Sequence, residues 1–367
     1  MGQLTATATP TAVRSRIGGI DMARALAIVG MVMVHVGPED APGADLAAAA
    51  YRAPHGRASV LFVLLAGIGV SLLAGGQDPR RRRAVAGRLL WRSLVLLPAG
   101  LWLQVRVPAV AVILQYYAVY FLVALAALRL ADRWLLVGAA ASAIVGPVLV
   151  IRLQQAAPHL YQFGVPRWTD AARIARDIVV TGYYPVVVWT APLLLGMLLG
   201  RRNLRSPAIA GRLLAGGTVV AATGFLLSDL LVALMGPATS SIDWRRLATI
   251  VPHNEMPLWM VTSTAIAVAV LGACVLLVRA LPTATWPLVA LGQLALTVYV
   301  LHLVVLDLEP TWLVRDTVGA AWLSVARFTL VAALLATAWR TLAPRGPFEM
   351  LLRPPWTTQA VRAPRDR

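Results

Sequence analysis

Ten apolar runs, separated by short polar segments, follow one another along the chain. A helix needs about 20 apolar residues to cross the hydrocarbon core of a bilayer, and these runs are of about that length. They cover residues 18–37, 58–76, 89–105, 109–128, 134–151, 183–200, 213–235, 258–278, 285–305 and 320–338. The pattern predicts an all-α, polytopic integral membrane protein with about ten transmembrane helices.

The composition excludes the other broad classes of protein. Of the 367 residues, 59% are hydrophobic and 13% are charged, and the mean hydropathy is +0.73. A soluble domain carries about 25% charged residues, so this chain cannot cover a water-exposed surface with charge. The single cysteine, Cys274, cannot form an intrachain disulfide, and the sequence has no cysteine spacing typical of a metal site. We therefore expect no bound metal.

The arginines predict how the helices are oriented. All 33 basic residues are arginine, and the formal net charge is +17. With the N-terminus inside, the inner segments hold 20 arginines against four acidic residues, whereas the outer segments hold ten of each. This bias follows the positive-inside rule and places both termini in the cytoplasm. It also explains the positive net charge, because the arginines set the topology and contact membrane lipid. We therefore expect no nucleic-acid partner.

The same pattern divides the chain into three parts. Residues 1–17 form a cytoplasmic N-terminal segment, residues 18–338 a transmembrane domain, and residues 339–367 a cytoplasmic tail rich in Arg and Pro. The first apolar run contains Asp21 and Arg24, which a cleavable signal peptide would avoid, so we expect a retained first helix. The oligomeric state stays open.

Three costly side chains lie on one face of the first predicted helix. Asp21 and Arg24 are spaced i,i+3 and can pair. His35 follows Arg24 by eleven residues, which at 100° per residue returns to within about 20° of the same direction. Ionisable groups in a membrane cost about 2.5–3.5 kcal/mol each on insertion scales and mark functional sites. The alternative is an ion pair that fixes the helix end, together with an interfacial histidine.

Several motifs resemble a known group of membrane enzymes. They are residues 19–24 with His35, 55–57 leading into 61–67, 113–118, 181–185, 196–201 and 296–302. Over nearly its whole length the chain resembles bacterial relatives of heparan-alpha-glucosaminide N-acetyltransferase, including the YeiB-like proteins of unassigned function. The Arg-x10-His spacing on the first helix also resembles the acyltransferase-3 group.

The resemblance implies a membrane-embedded acyltransferase of the bacterial cytoplasmic membrane. Such an enzyme moves an acetyl or other small acyl group from cytosolic acyl-CoA, typically acetyl-CoA, to a glycan, glycolipid or small-molecule acceptor across the membrane. In the eukaryotic relatives the position matching His35 is typically Asn, and the catalytic histidine lies in the following loop. In that loop this chain has His55, and Tyr51 falls near the matching place.

The residues named so far permit this chemistry. A histidine titrates near neutral pH, so His35 or His55 could act as the base or carry the acyl group transiently, and the sequence does not decide between them. Arg24 would orient the donor near the inner mouth, with Asp21 as its partner. Arg57 could stabilise charge at the outer mouth, or simply sit at a helix end.

Two aromatic pairs complete the candidate site. Tyr116 and Tyr117 in the fourth run are expected mid-membrane, where they either line an acyl channel or pack in the core. Tyr299 and His302 share a face of the ninth run, where they could contact the acceptor or the acyl carbonyl. The alternative for this second pair is an interfacial aromatic belt.

Two other functions fit an apolar bundle with a polar stripe. A transporter or flippase would have two related halves with broken helices that meet mid-membrane. A non-catalytic scaffold for a biosynthetic complex would tolerate apolar residues along the stripe.

Overall fold

The computed structural model describes residues 16–38, 43, 45–75, 79–161 and 170–356, and for residues 79–82 the backbone alone. Within these ranges the chain is helical, and no β-strand occurs. Most of the predicted N-terminal segment 1–17, and the tail after residue 356, lie outside the described residues.

The described residues form 14 α-helices. In chain order these are α1 Gly18–Val36, α2 Leu46–Arg52, α3 Arg57–Ala74, α4 Pro79–Arg106, α5 Leu114–Ala127, α6 Asp132–Ala156, α7 Ala171–Arg176, α8 Val186–Leu199, α9 Pro207–Met235, α10 Pro257–Ala280, α11 Pro282–Gln293, α12 Ala295–Leu308, α13 Val318–Leu342 and α14 Pro347–Leu351. A π-helical turn, Asp177–Thr181, continues α7.

Seven of these helices are long and apolar enough to cross a bilayer, and two bent pairs bring the number of such spans up to nine. Helix α5 is a further, shorter apolar helix. Every predicted apolar run overlaps at least one helix, which confirms an all-α, polytopic membrane protein. The positions of the termini and the orientation remain predictions from the arginines.

The prediction of one helix over residues 285–305 is wrong. The structure divides this run at Leu294 into α11 and α12, which meet at an angle of 69°. Gly292, just before the bend, packs so closely on α1 that an added Cβ would lie 1.7 Å from the backbone oxygen of Asp21. The direct contact between the two backbones sets where the bend lies.

The run 183–200 also contains less helix than predicted. Helix α8 begins only at Val186, after Pro185, and together with α7 and the π-helical turn it forms the second bent pair, with an angle of 56°. Pro185 has an extended backbone (ψ 127°), so it interrupts the helix at this point.

Helix α1 lies inside the bundle. It packs against α3, α10, α11, α12 and α13. Small residues allow this approach, because Ala23, Ala25 and Ala27 have no exposed surface. The polar face of α1 therefore points into protein rather than into lipid.

Candidate functional site

Four histidines converge beside α1. The imidazole planes of His35 and His302 are nearly parallel, with centroids 5.4 Å apart, and His35 Nδ1 lies 3.1 Å from His302 Nε2, so the two rings meet edge to edge through these nitrogens. His55 and His253 lie close enough to His35 that a charge on either would oppose a charge on it. We call His35, His55, His253 and His302 the histidine cluster. Among the described residues no group of three or more His, Cys, Asp and Glu side chains is arranged to hold one metal ion.

Helix α12 positions His302, the partner of His35. His302 and Tyr299 lie one turn apart on it, with 0% and 1% of their surface exposed, and their rings meet edge to face at 5.1 Å. The Tyr299 hydroxyl accepts a hydrogen bond from the Ile113 backbone N–H at 3.3 Å. This burial contradicts the alternative of an interfacial aromatic belt for these two residues.

A glycine brings His55 to the cluster. His55 is buried in the link between α2 and α3, and the next residue, Gly56, has a φ of +70°. An added Cβ at Gly56 would lie 2.8 Å from the Trp259 ring and 3.2 Å from the His253 backbone nitrogen. The close approach of this link to the loop before α10 therefore requires a residue without a side chain.

Tyr51, on α2, supports the end of α1. Its hydroxyl donates a 2.5 Å hydrogen bond to the carbonyl oxygen of Met33. Its ring also packs edge to face on Trp322 and lies 5.9 Å from His55. Because its hydroxyl is engaged with the backbone, Tyr51 holds the turn of α1 that carries His35.

The sequence-based prediction missed the loop before α10. His253 and Glu255 both have a left-handed backbone, with φ of 57° and 55°, which is uncommon for residues other than glycine and clusters at functional sites. Between them Asn254 fixes the loop by donating to the Thr249 carbonyl oxygen at 3.1 Å and accepting from the Met256 backbone N–H at 3.1 Å. In sequence these polar residues before an apolar run resemble an ordinary helix cap, and nothing local indicates their partners.

Burial changes the titration of this loop. It lowers the pKa of His253 to about 4, and nearby His55 adds to the effect. Burial also raises the pKa of Glu255 well above its usual range, although Trp189 and Arg246 partly oppose the shift. His253 is therefore neutral at neutral pH, and burial favours the neutral form of Glu255.

The loop forms one wall of a cavity of about 340 Å³. Its polar lining residues are Gln104, Gln115, Tyr116, Gln154, Tyr161, Asp177, Thr181, Tyr183, Ser241, Arg246, His253, Asn254 and Glu255. Gln115 is buried, and its Oε1 has no hydrogen-bond partner among the described residues. In the predicted orientation this is the outer side, so we call the space the outer cavity. A polar ligand could satisfy such an acceptor.

At the other end of α1 the predicted ion pair is confirmed. Arg24 Nη1 lies 2.6 Å from Asp21 Oδ1, and Arg16 Nε contacts the second oxygen at 3.1 Å. The Asp21 side chain is 2% exposed, whereas that of Arg24 is 26% exposed. Asp21 is therefore satisfied, and Arg24 retains access to solvent.

Further cations gather around Arg24. Arg92 is close enough to both Arg24 and Arg88 for their charges to repel its own, and it lies 5.7 Å from the centre of the Phe121 ring. The Arg92 Nε is buried without a partner among the described residues. We call Arg24, Arg88 and Arg92 the inner arginine group. Asp21 neutralises only part of its charge, which favours an anionic ligand.

The side chains of Tyr116 and Tyr117 have different surroundings. They lie in the first turn of α5 rather than in the middle of a span. Tyr116 lines the outer cavity, and its hydroxyl accepts from the Tyr183 backbone N–H at 3.2 Å. Tyr117 is buried and interacts electrostatically with Arg24 and Tyr299, and its hydroxyl has no hydrogen-bond partner within the described part of the chain. It therefore lies between the inner arginine group and the histidine cluster.

Arg57 begins α3 and packs against α9. Its guanidinium lies 5.6 Å from the centre of the Phe225 ring on α9, and its Nη1 donates to the Ala53 carbonyl oxygen at 3.1 Å. It does not line the outer cavity. The helix-end alternative fits this geometry better than a role in the cluster.

Comparison with known proteins gives two matches that together span the helical bundle. The family model described as heparan-alpha-glucosaminide N-acetyltransferase, catalytic, matches residues 16–214, and that described as protein of unknown function (DUF418) matches residues 201–357. No curated protein matches the chain. The first match includes His35 and His55, and the second includes His253 and His302. The histidine cluster is therefore assembled from both matched regions.

Proposed function

The chain belongs to the heparan-alpha-glucosaminide N-acetyltransferase catalytic family, and on that premise we propose that it is an acyl-CoA-dependent acyltransferase of the bacterial cytoplasmic membrane. It would move an acetyl or other small acyl group to a glycan, glycolipid or small-molecule acceptor. The observation that carries the proposal is the position of His35 and His302, whose imidazole nitrogens are in contact. Cationic groups at one end of α1 and a polar cavity at the other flank this pair.

The inner arginine group is the proposed donor site. Coenzyme A carries several phosphates, and guanidinium groups bind phosphate with strong, charge-assisted hydrogen bonds. The Arg24 side chain is 26% exposed and is held by the buried carboxylate of Asp21. A donor held there would extend its thioester past Tyr117, whose free hydroxyl is suited to donate to the carbonyl oxygen.

His35 is the proposed base, and His302 is its partner. If His35 Nδ1–H donates to His302 Nε2, the lone pair of His35 Nε2 is free to accept a proton. His302 then orients His35, as the third group of a catalytic triad orients its histidine. The acceptor nitrogen or oxygen bonds to the thioester carbonyl carbon and gives its proton to His35. The carbon–sulfur bond breaks, and the CoA thiolate leaves and takes up that proton.

The outer cavity is the proposed acceptor site. Its amide, hydroxyl and guanidinium groups suit a ligand with several hydroxyl or amine groups, as a sugar has. His253 is neutral there at neutral pH, so it would act as a hydrogen-bond partner rather than as an ion, and burial favours the same state for Glu255. The family description names a glucosaminide, and an amino sugar is therefore the first acceptor to test.

The test uses purified protein in liposomes, acetyl-CoA and a panel of hexoses and hexosamines. We expect release of the CoA thiol together with an acetylated acceptor detected by mass spectrometry. General-base catalysis contributes about 10²–10⁴-fold, so His35→Ala and His302→Ala should lower kcat by roughly 100-fold or more. His55→Ala tests the alternative base.

The control is His159→Ala, because His159 is the remaining histidine and is exposed. It should retain the wild-type rate. Wild-type rates for both His35→Ala and His302→Ala would contradict the mechanism. Movement of an acceptor across the membrane without acyl-CoA would support the transporter alternative instead.

A further inference from the structure

Beyond α13 the chain returns to the bundle and reaches the bend between α11 and α12. We call residues 345–352 the C-terminal segment. The carboxylate of Glu349 in this segment accepts hydrogen bonds from the Leu296 backbone N–H at 2.7 Å, the Thr297 backbone N–H at 3.1 Å and the Thr297 hydroxyl at 2.6 Å. A residue 53 positions away in the chain therefore binds the first turn of α12.

Helix α12 needs such a partner. The first backbone N–H groups of any helix have no partner within it, and they carry a partial positive charge. The residue preceding α12, Leu294, provides no side-chain cap. Glu349 supplies both the missing acceptor atoms and a negative charge at the positive end of the helix.

The C-terminal segment is itself tied to two other helices. Trp91 on α4 donates its indole N–H to the Leu351 carbonyl oxygen at 2.8 Å, and Trp339 on α13 donates to the Arg345 carbonyl oxygen at 2.7 Å. At Gly346 an added Cβ would lie 2.7 Å from Thr297 Oγ1. Glu349 is thus held in place from both sides, and it can hold α12 in turn.

We propose that Glu349 is a positioning residue that sets α12 so that His302 meets His35; this role rests on the proposed acyltransferase function. His302 follows Thr297 by five residues, which is about 7.5 Å along a helix. The contact that it must make is 3.1 Å long. A displacement of about 1 Å at a catalytic group can lower a rate by about 100-fold.

The kinetic test compares Glu349→Ala, Glu349→Gln and the neighbouring control Met350→Ala, whose side chain is half exposed. We expect Glu349→Ala to lower kcat by roughly 10- to 100-fold while KM for acetyl-CoA changes by less than about twofold, because the Glu349 carboxylate binds the start of α12 rather than the inner arginine group. Glu349→Gln keeps an oxygen acceptor for the backbone N–H groups and should recover part of the loss. Met350→Ala should match the wild type.

A second measurement does not depend on activity. Diethyl pyrocarbonate modifies accessible histidines, and peptide mass spectrometry locates the product. His302 is fully buried, so it should be protected in the wild type and in Met350→Ala, and modified faster in Glu349→Ala. If Glu349→Ala fails to fold, Glu349→Gln carries both measurements with a smaller effect.

The outcomes separate the two proposals. Suppose that the wild-type protein shows no acyltransferase activity and that His302 is modified faster in Glu349→Ala than in the wild type. This result would support the positioning role and overturn the proposed function. Unchanged kcat in both Glu349 variants would overturn the positioning role. So would a lower kcat with His302 still protected, because α12 would then not have moved.

Discussion

His253 lies outside the membrane-spanning helices, in a loop whose backbone is left-handed on both sides of Asn254. Burial and nearby His55 lower its pKa to about 4, against an ordinary value of 6.5. The folded protein therefore keeps His253 neutral over a pH range in which the unfolded chain binds a proton. Linkage makes this difference visible as a dependence of stability on pH.

Acidification should destabilise the protein through His253. The stability is fully present above pH 6.5 and is lost as the pH falls towards 4, since only the unfolded state gains a proton in that interval. We expect Tm in detergent to fall by roughly 2–4 °C between pH 7 and pH 5 because of this residue. In His253→Gln the fall should be smaller by that amount. Equal pH dependence of Tm in both proteins would contradict the prediction.

Single residues could be predicted from sequence where their partners are local. The pair of Asp21 and Arg24 follows from i,i+3 spacing, and the structure confirms it. His35 and His302 were each selected as candidates, but their contact joins residues 267 positions apart and depends on how the helices pack. His253 was missed because it matters only through its proximity to the other histidines of the cluster. No local sequence pattern predicts that proximity.

At the scale of elements, two glycines set how closely α3 and α8 pack. A Cβ added at Gly67 would lie 2.0 Å from the Leu193 carbonyl oxygen, and one added at Gly196 would lie 2.1 Å from the Leu64 carbonyl oxygen. Each helix therefore contacts the backbone of the other directly, as small residues permit between membrane helices.

Gly67→Ala should separate these helices and destabilise the protein. Overpacking typically costs about 1–3 kcal/mol, which should lower Tm in detergent. The matched control is Gly216→Ala on α9, where an added Cβ meets no atom within 4 Å. Alanine favours helix by about 1 kcal/mol over glycine, so the control should be neutral or slightly more stable. Equal Tm changes in the two variants would argue against close packing at Gly67.

The helices could be predicted as apolar runs, but the bends between consecutive helices could not. Residues 285–305 form one unbroken apolar run, and nothing within it indicates the break at Leu294. The bend depends on Gly292 against the backbone of α1 and on Glu349 at the start of α12, and both contacts join distant parts of the chain. Hydrophobic length therefore identifies a helix, but tertiary contacts decide whether it stays straight.

At the scale of the whole molecule, the orientation in the membrane remains to be measured. Labelling with a membrane-impermeant maleimide in intact cells provides the test, in a Cys274→Ser background that removes the only cysteine. We expect Ser240→Cys, in an outer segment, to react, and Leu281→Cys, between α10 and α11, to react only after lysis. Both positions are exposed, so burial does not explain a difference. The reverse pattern would invert the predicted topology.

The involvement of Glu349 in the first turn of α12 has a consequence for biosynthesis. The ribosome makes the chain from its N-terminus, and the last span among the described residues, α13, ends at Leu342, so Glu349 is synthesised after every described span. If Glu349 fixes the geometry of His302, a chain that stops before Glu349 lacks this contact and should hold its two imidazoles in a less productive arrangement. Acyl transfer at the full rate would then require the C-terminal segment to be synthesised and docked on α12.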